Sequence, residues 1–580
     1  MMRYCSILHW FQDTVRREPE HIAVKEYRDG RVQAMTYQDL YAVSYDLSRQ
    51  LEAWYRGGLI LIAAHSSLYL TEWVLAALWL GYPFLLLDET VTAERFYSLC
   101  QDDTLVLTDW EDWHYPVLKG ELHRGSVALR PSRSFPSLDE RFPDGTQAIL
   151  YQVCTSGSGG KPKRIGIRQE GILNYIDWRI RSYQICSQDV ILQILSPMFD
   201  GFYSNFFTAL LSGAVLLCHD FRRMSGLTNT MRKEAVTQMS LTPSLLHLVL
   251  TMGSERDFVS LRQVVVGGER CSQTVYQRFR QCCPHAVLAN EYGMAENCIA
   301  TTAQTLLQLE DCSNIGKPID NTAVYLLDDN KRPVTVGEIG ELYVTGIGLA
   351  HGYEGNEEET RRRFLCLPNL AAEHLYKTGD FAVRLTDGSY RYMTREDRQV
   401  KINGCRIELD EVQQALLTLP SMDEAYVFCV EDKGQRPVIE AFLYSAKPMV
   451  VAQLRFLLRA KLSDSMLPQR YYLLEKPGCF DRKPTREQAI SCSTPCRNTR
   501  KHSSRPVHVF AAQIQQVWEG ILRTPIRRRE NIFRHGVTSY TVMLAYAELC
   551  KLYGDALSLT DLYRHKTIWK LAKYIDKKMG

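Results

Sequence analysis

Short apolar runs alternate with helix-period stretches through the first two thirds of the chain. LILIAAH at 59–65, PFLLLD at 83–88, TLVLTD at 104–109 and GAVLLCHD at 213–220 are too short for typical helices and apolar at successive positions. Such runs between helical periods predict parallel strands buried on both faces, hence a large α/β unit over residues 1–395. A smaller α+β unit follows at 396–490, where EAYVFCV and IEAFLYS read as strands and DEVQQALLTL and AQLRFLLRAKL as helices. Residues 491–508 open with SCSTPCRNTRKHSSRP, nearly free of apolar side chains, and read as a solvated linker. In the last unit, 509–580, Ile514, Val517, Trp518 and Ile521 recur at helical spacing, and further helical patterns follow Ser539 and Thr567. So small a bundle has a thin core and is expected to move on its linker.

The most apolar run, Val74–Leu87, falls short of the roughly 20 residues a membrane span requires, and Gly81-Tyr82-Pro83 interrupts it. A helix turning into a buried strand accounts for it, so no membrane association is expected. With 580 residues, 45% hydrophobic and 23% charged, the chain has material for several cores. A net charge of +3 argues against a nucleic-acid partner. The seventeen cysteines include no Cys-x-x-Cys pair, and the N-terminus lacks a signal-peptide layout. Free thiols in a reducing cytoplasm, mostly small core residues, are the expectation.

The stretch most suggestive of chemistry is YQVCTSGSGGKPKRIGI at 151–167. Strand-like residues flank Thr155, Ser156, Gly157, Ser158, Gly159, Gly160, Lys161, Pro162 and Lys163. Glycines let backbone N–H groups converge on an anion, hydroxyls add donors and lysines add charge. Strand residues follow rather than a helix, so this is not the Walker arrangement. By itself the segment could also be a flexible hairpin turn.

Four further segments follow in order: NEYGMAEN at 290–297, GELYVTG at 340–346, YKTGDFAVRLTDGSYRYMTRED at 376–397 and RQVKINGCRIELDEV at 398–412. With the loop, they make the first 480 or so residues resemble the superfamily of acyl-CoA synthetases, luciferases and peptide-synthetase adenylation domains. The resemblance implies joining of a carboxylate to ATP, release of pyrophosphate, and transfer of the acyl group to a thiol. It implies that the loop and Lys163 neutralise phosphate charge, and that Glu296 helps hold Mg²⁺. Tyr292, Gly267 and Gly268 would lie against the adenine, Asp380 would accept from the ribose hydroxyls, and Arg395 would reach the nucleotide. Asp397 would be the hinge between the two parts, and Lys401 would enter for the second step.

The same resemblance places Asp200 where amino-acid-activating members keep an aspartate for the substrate ammonium. A buried carboxylate without a cation is costly, which favours an amino-acid substrate. Gly201, Ser204, Ser240, Val265, Gly267, Glu291, Ile299 and Ala300 fall at the other pocket positions. Mostly small, they imply a deep pocket in which Glu291 meets a cationic side chain, a phenol or an amide.

NIFRHGVTSYTVMLAYAEL at 531–549 and SLTDLYRHKTIWKLAKYI at 558–575 resemble a peptidyl carrier domain, expected as a four-helix bundle. Ser539 matches the serine that takes 4′-phosphopantetheine in that family, and could also be simply a helix N-cap. The partners implied are a phosphopantetheinyl transferase and downstream condensation or tailoring enzymes. The pattern breaks at Pro477-Gly478-Cys479-Phe480-Asp481-Arg482-Lys483, where Cys479 stands in place of the family's last catalytic lysine. Cysteine supplies no fixed positive charge. Two readings therefore remain: a working amino-acid-activating enzyme, and a weakened body serving as a carrier or docking protein loaded in trans. Acyl- or aryl-CoA ligase activity is disfavoured by Asp200 and the fused carrier.

Overall fold

A computed structural model describes residues 4–579 apart from 29–30, 54, 56, 65–66, 89–90, 92, 101–103, 110–121, 124–148, 156–162, 220–225, 368–369, 371, 396–398, 403–404, 420–421, 432–436, 446–450, 459–460, 476–483, 496–508, 538–540, 543, 547, 550–556 and 558. Two sheets dominate the large unit. One runs Tyr353–Glu354, Lys163–Arg168, Ile149–Thr155, Phe84–Leu87, Ile60–Ala63, Leu105–Thr108 and Leu122–His123. The other has a parallel centre of Val287–Tyr292, Gln263–Gly267, Gln238–Leu241, Val190–Gln193, Val215–His219 and Ile22–Arg28, extended by antiparallel strands.

The continuous apolar runs are explained by burial on both faces. Ile60 and Ile62 enter the main core, while the alternating Leu61 and Ala63 enter a second cluster with Leu85, Leu87 and Phe96. The main core also holds Trp73, Tyr175, Ile176, Phe206 and Phe207, so helices Ser67–Leu80, Gln169–Ser182 and Gly201–Ser212 are packed between the sheets. Among the described residues no helix is long and apolar enough to cross a membrane. Val74–Leu87 is the end of one helix and the whole of strand Phe84–Leu87.

The smaller unit pairs Glu424–Glu431 with Pro437–Tyr444, then Arg470–Leu474, then Ser493–Pro495. This last strand corrects the expected linker, which was read to begin at 491. An edge strand is held by backbone hydrogen bonds and needs no apolar side chains, so composition gave no sign of it. The final unit is helical around Trp518, Ile514, Ile532, Val542, Leu562, Leu571 and Ile575. Trp518 and Ile514, from the predicted stripe, are fully buried on helix Val509–Leu522. This unit also touches the others: Arg455 Nη2 donates to the Val537 carbonyl at 3.0 Å, and Leu544 joins a core cluster of the large unit.

Candidate active site

Strands Ile149–Thr155 and Lys163–Arg168 form an antiparallel hairpin with Thr155 opposite Lys163. The tip, with Ser156, Gly157, Ser158 and Gly159, lies outside the described residues. Lys163, at the base, differs from the expectation of a charge held out to phosphate. Its Nζ is 2.9 Å from Glu359 Oε1, with both side chains under 10% exposed. Burial acts to raise the Glu359 carboxyl, but hydrogen bonds from Arg362 and Lys163 outweigh it and bring it down to about 2. Glu359 belongs to helix Glu357–Arg363, which is capped by Asn356 and has acidic residues in its first turn and arginines in its last. That charge order suits the helix dipole.

Lys163 leads towards the next predicted residue. Its Nζ lies 5.2 Å from the centroid of the Tyr353 ring, whose hydroxyl donates to Glu296 Oε1 at 2.7 Å. Tyr353 and Tyr376 hydroxyls are 3.1 Å apart. Glu296 is 1% exposed and sits in the short turn Ala295–Asn297. Among the described residues no group of three or more His, Cys, Asp or Glu side chains could hold a metal ion. Glu296 offers one carboxylate, and magnesium is commonly held by one or two carboxylates together with nucleotide phosphates.

Two more predicted residues, Tyr292 and Arg395, meet at a third, Asp380. Tyr292 donates to Asp380 Oδ2 at 2.6 Å, and Arg395 Nη1 donates to Oδ1 at 2.8 Å. Arg395 also donates to the Thr378 carbonyl at 3.1 Å. Strand pairing places Asp380 opposite Arg395. A carboxylate has about four acceptor sites, so these two contacts leave capacity for the ribose hydroxyls of a nucleotide. Gly267 has a packing reason of its own: a Cβ there would stand 2.9 Å from the Glu291 carbonyl oxygen. Gly268 has φ +78°, where glycine is at ease.

Asp200 caps helix Gly201–Ser212, accepting from Gly201 N at 2.7 Å. Burial raises the phenols of Tyr151 and Tyr203 and the Cys298 thiol, and the negative charge of Asp200 adds to each. Ser204 and Val265 are 3% exposed and Ala300 is 1% exposed. Cys298 and Ile299 have φ of 50° and 74°, and a β-branched residue in that region is strained. Gly293 permits this crossing: a Cβ on it would come 2.0 Å from the Ile299 carbonyl oxygen. Ser240 and Glu291 are both occupied by Arg179, a residue the sequence did not single out. The expected partners of Glu291, a cation and phenols, are supplied by Arg179, Tyr175 and Tyr183 of the chain itself.

Asp397, Cys479 and Ser539 lie outside the described residues, as does the Lys401 side chain; the Lys401 backbone belongs to strand Gln399–Ile402. Arg179, Tyr353 and Glu359 were missed because none sits in a recognisable motif. Only the run EEETRRR at 357–363 carried a signal, as a charge-ordered helix.

A model of the AMP-binding enzyme family matches residues 11–354. The chain belongs to that family. A model of the phosphopantetheine attachment site matches residues 512–575. Gramicidin S synthase 2 of Brevibacillus brevis is 29% identical over 588 aligned residues, covering 98% of this chain and 13% of that protein. Tyrocidine synthase 3 of Brevibacillus parabrevis is 29% identical over 589 aligned residues, covering 98% of this chain and 9% of that protein. The chain thus spans 13% or less of the length of these curated relatives. The fold is shared with a holo NRPS protein containing adenylation and PCP domains, at TM-score 0.81 and 22% identity, over 99% of this chain and 97% of that one. It is also shared with o-succinylbenzoate CoA synthetase from Bacillus subtilis, at TM-score 0.73 and 22% identity, over 84% of this chain and 98% of the other.

Proposed function

We propose that this AMP-binding enzyme activates an amino acid as its aminoacyl-AMP, releasing pyrophosphate, and passes it as a thioester to the phosphopantetheine arm of its own carrier unit. The observation that carries the nucleotide half is the Tyr292–Asp380–Arg395 cluster, a carboxylate with acceptor capacity left for ribose, beside a tyrosine ring. Amino-acid choice rests on Asp200, a part-buried carboxylate at a helix start, suited to an ammonium group.

In this reading residues 1–395 and 396–495 are the two parts of the activating body and 509–580 the carrier. Asp397 is the hinge, Lys401 moves in for thiol transfer and Ser539 bears the arm. Magnesium, when bound through Glu296, would offset phosphate charge. Tyr353 would hold the Glu296 carboxylate in place, and Lys163, tied to Glu359, would set the base of the phosphate loop. A phosphopantetheinyl transferase and condensation or tailoring enzymes are the partners this role requires. The family likeness to synthases of gramicidin S and tyrocidine supports a place in nonribosomal peptide synthesis.

The test is amino-acid-dependent ATP–pyrophosphate exchange across a full amino-acid panel, with Asp200→Ala alongside. Exchange with one amino acid, lost in the variant, is expected. Absence of exchange in protein that still binds ATP would overturn activation, and would favour the carrier role that Cys479 in the lysine position suggests.

A further inference from the structure

Arg179 is a buried charge that carboxylate activation has no need of. It lies 2% exposed on helix Gln169–Ser182. Nη1 donates to Glu291 Oε1 at 2.5 Å and to the Tyr175 hydroxyl at 2.9 Å, and Nη2 donates to Ser240 Oγ. Tyr175 and Tyr183 donate in turn to Glu291 Oε2 and Oε1 at 2.7 and 2.9 Å. The guanidinium carbon lies 5.8 Å and 5.3 Å from the centroids of these two rings. The Glu291 carboxylate therefore accepts three hydrogen bonds from its own chain and is matched by one positive charge.

Glu291 and Ser240 are two of the positions assigned above to the substrate side-chain pocket. With Arg179 across them, the pocket presents a neutral ion pair in place of a carboxylate awaiting a partner. A substrate ammonium or guanidinium would have to displace Arg179 or share a buried site with it, and like charges there are costly. A substrate carboxylate would meet Glu291 with the same penalty. The guanidinium and the two phenol rings also take up space that a long side chain would need. Breaking the pair from one side leaves an uncompensated buried charge, so the arrangement resists being opened by a ligand.

We propose that the Arg179–Glu291 pair closes the floor of the substrate side-chain pocket and restricts this chain to amino acids with short, uncharged side chains. The proposal rests on the amino-acid-activation reading for its placement of the pocket. Arg179 is on this account a specificity-determining residue.

The experiment measures calorimetric binding of hydrolysis-resistant aminoacyl-sulfamoyl adenosines to the full chain, which requires no turnover. The alanyl and seryl compounds are expected to bind at least about tenfold more tightly than the lysyl, glutamyl and tyrosyl ones. Equal or tighter binding of any of those three, or no binding of any compound, would overturn the proposal. Arg179→Ala is expected to raise lysyl affinity about tenfold or more over wild type; a folded variant with unchanged lysyl affinity would overturn it. Should that variant not fold, Arg179→Met combined with Glu291→Gln removes both charges and is expected to admit the glutaminyl compound, and no gain counts against the proposal. Exchange assays run alongside separate the two readings. The expected ranking without exchange leaves the pocket standing and removes activation. Exchange driven by lysine or glutamate does the reverse.

Discussion

At the scale of single residues, Asp380 holds two partners at once, the Tyr292 hydroxyl and the Arg395 guanidinium. Asp380→Ala removes an acceptor of the buried Tyr292 hydroxyl and a carboxylate paired with Arg395. A loss of roughly 1–3 kcal/mol in stability is expected, together with weaker ATP binding; chemical denaturation and nucleotide titration read the two effects separately. Gly267 is constrained by contact. Gly267→Ala places a methyl 2.9 Å from the Glu291 carbonyl oxygen, and about 1–3 kcal/mol of overpacking should appear as a lower denaturation midpoint. Asp380 was legible because it stands in a motif. Arg179 was not, because its significance comes from meeting Glu291 across 112 positions of sequence.

At the scale of elements, the ion pair between Lys163 and Glu359 fastens the phosphate-loop hairpin to helix Glu357–Arg363. The Glu359 carboxyl is lowered from 4.5 to about 2 in the folded protein. Its contribution is therefore present in full above pH 4.5 and is lost as pH falls towards 2. That lowering corresponds to at most roughly 3 kcal/mol, and to less once solvent screening at the exposed Arg362 is counted. Unfolding free energy measured against pH should fall more steeply over that window for wild type than for Glu359→Gln. At neutral pH the variant should be the less stable. Equal slopes would mean that the pair does not hold the hairpin. The strands themselves were legible, since runs such as Ile60–Ala63 are apolar at every position. The strand Ser493–Pro495 was not, because an edge held by backbone hydrogen bonds leaves no mark in composition.

At the scale of the whole molecule, the carrier unit meets the smaller part of the body at Gly536. This glycine has φ +76°, and a Cβ on it would stand 2.6 Å from the Gln469 carbonyl oxygen. Gly536→Ala should therefore loosen that contact. Aminoacylation of the carrier in cis is expected to slow while ATP–pyrophosphate exchange is unchanged; a parallel loss of both would mean that the substitution has disturbed the body. Ser539→Ala should abolish attachment of phosphopantetheine, read by intact-protein mass spectrometry, and leave exchange untouched.

The sequence by itself determined the α/β body, its order of motifs and the helical carrier, because periodicity and loop chemistry are local properties of consecutive residues. It also singled out Asp380, Tyr292, Arg395 and Glu296, because each stands in a motif of consecutive residues; the fold brings the first three into one cluster. Tertiary structure alone decided which charges are already spent. Lys163 is matched by Glu359 and Glu291 by Arg179, pairings set by packing between elements far apart in the chain. A buried charge must find its partner in space, and neither composition nor spacing records which partner it finds.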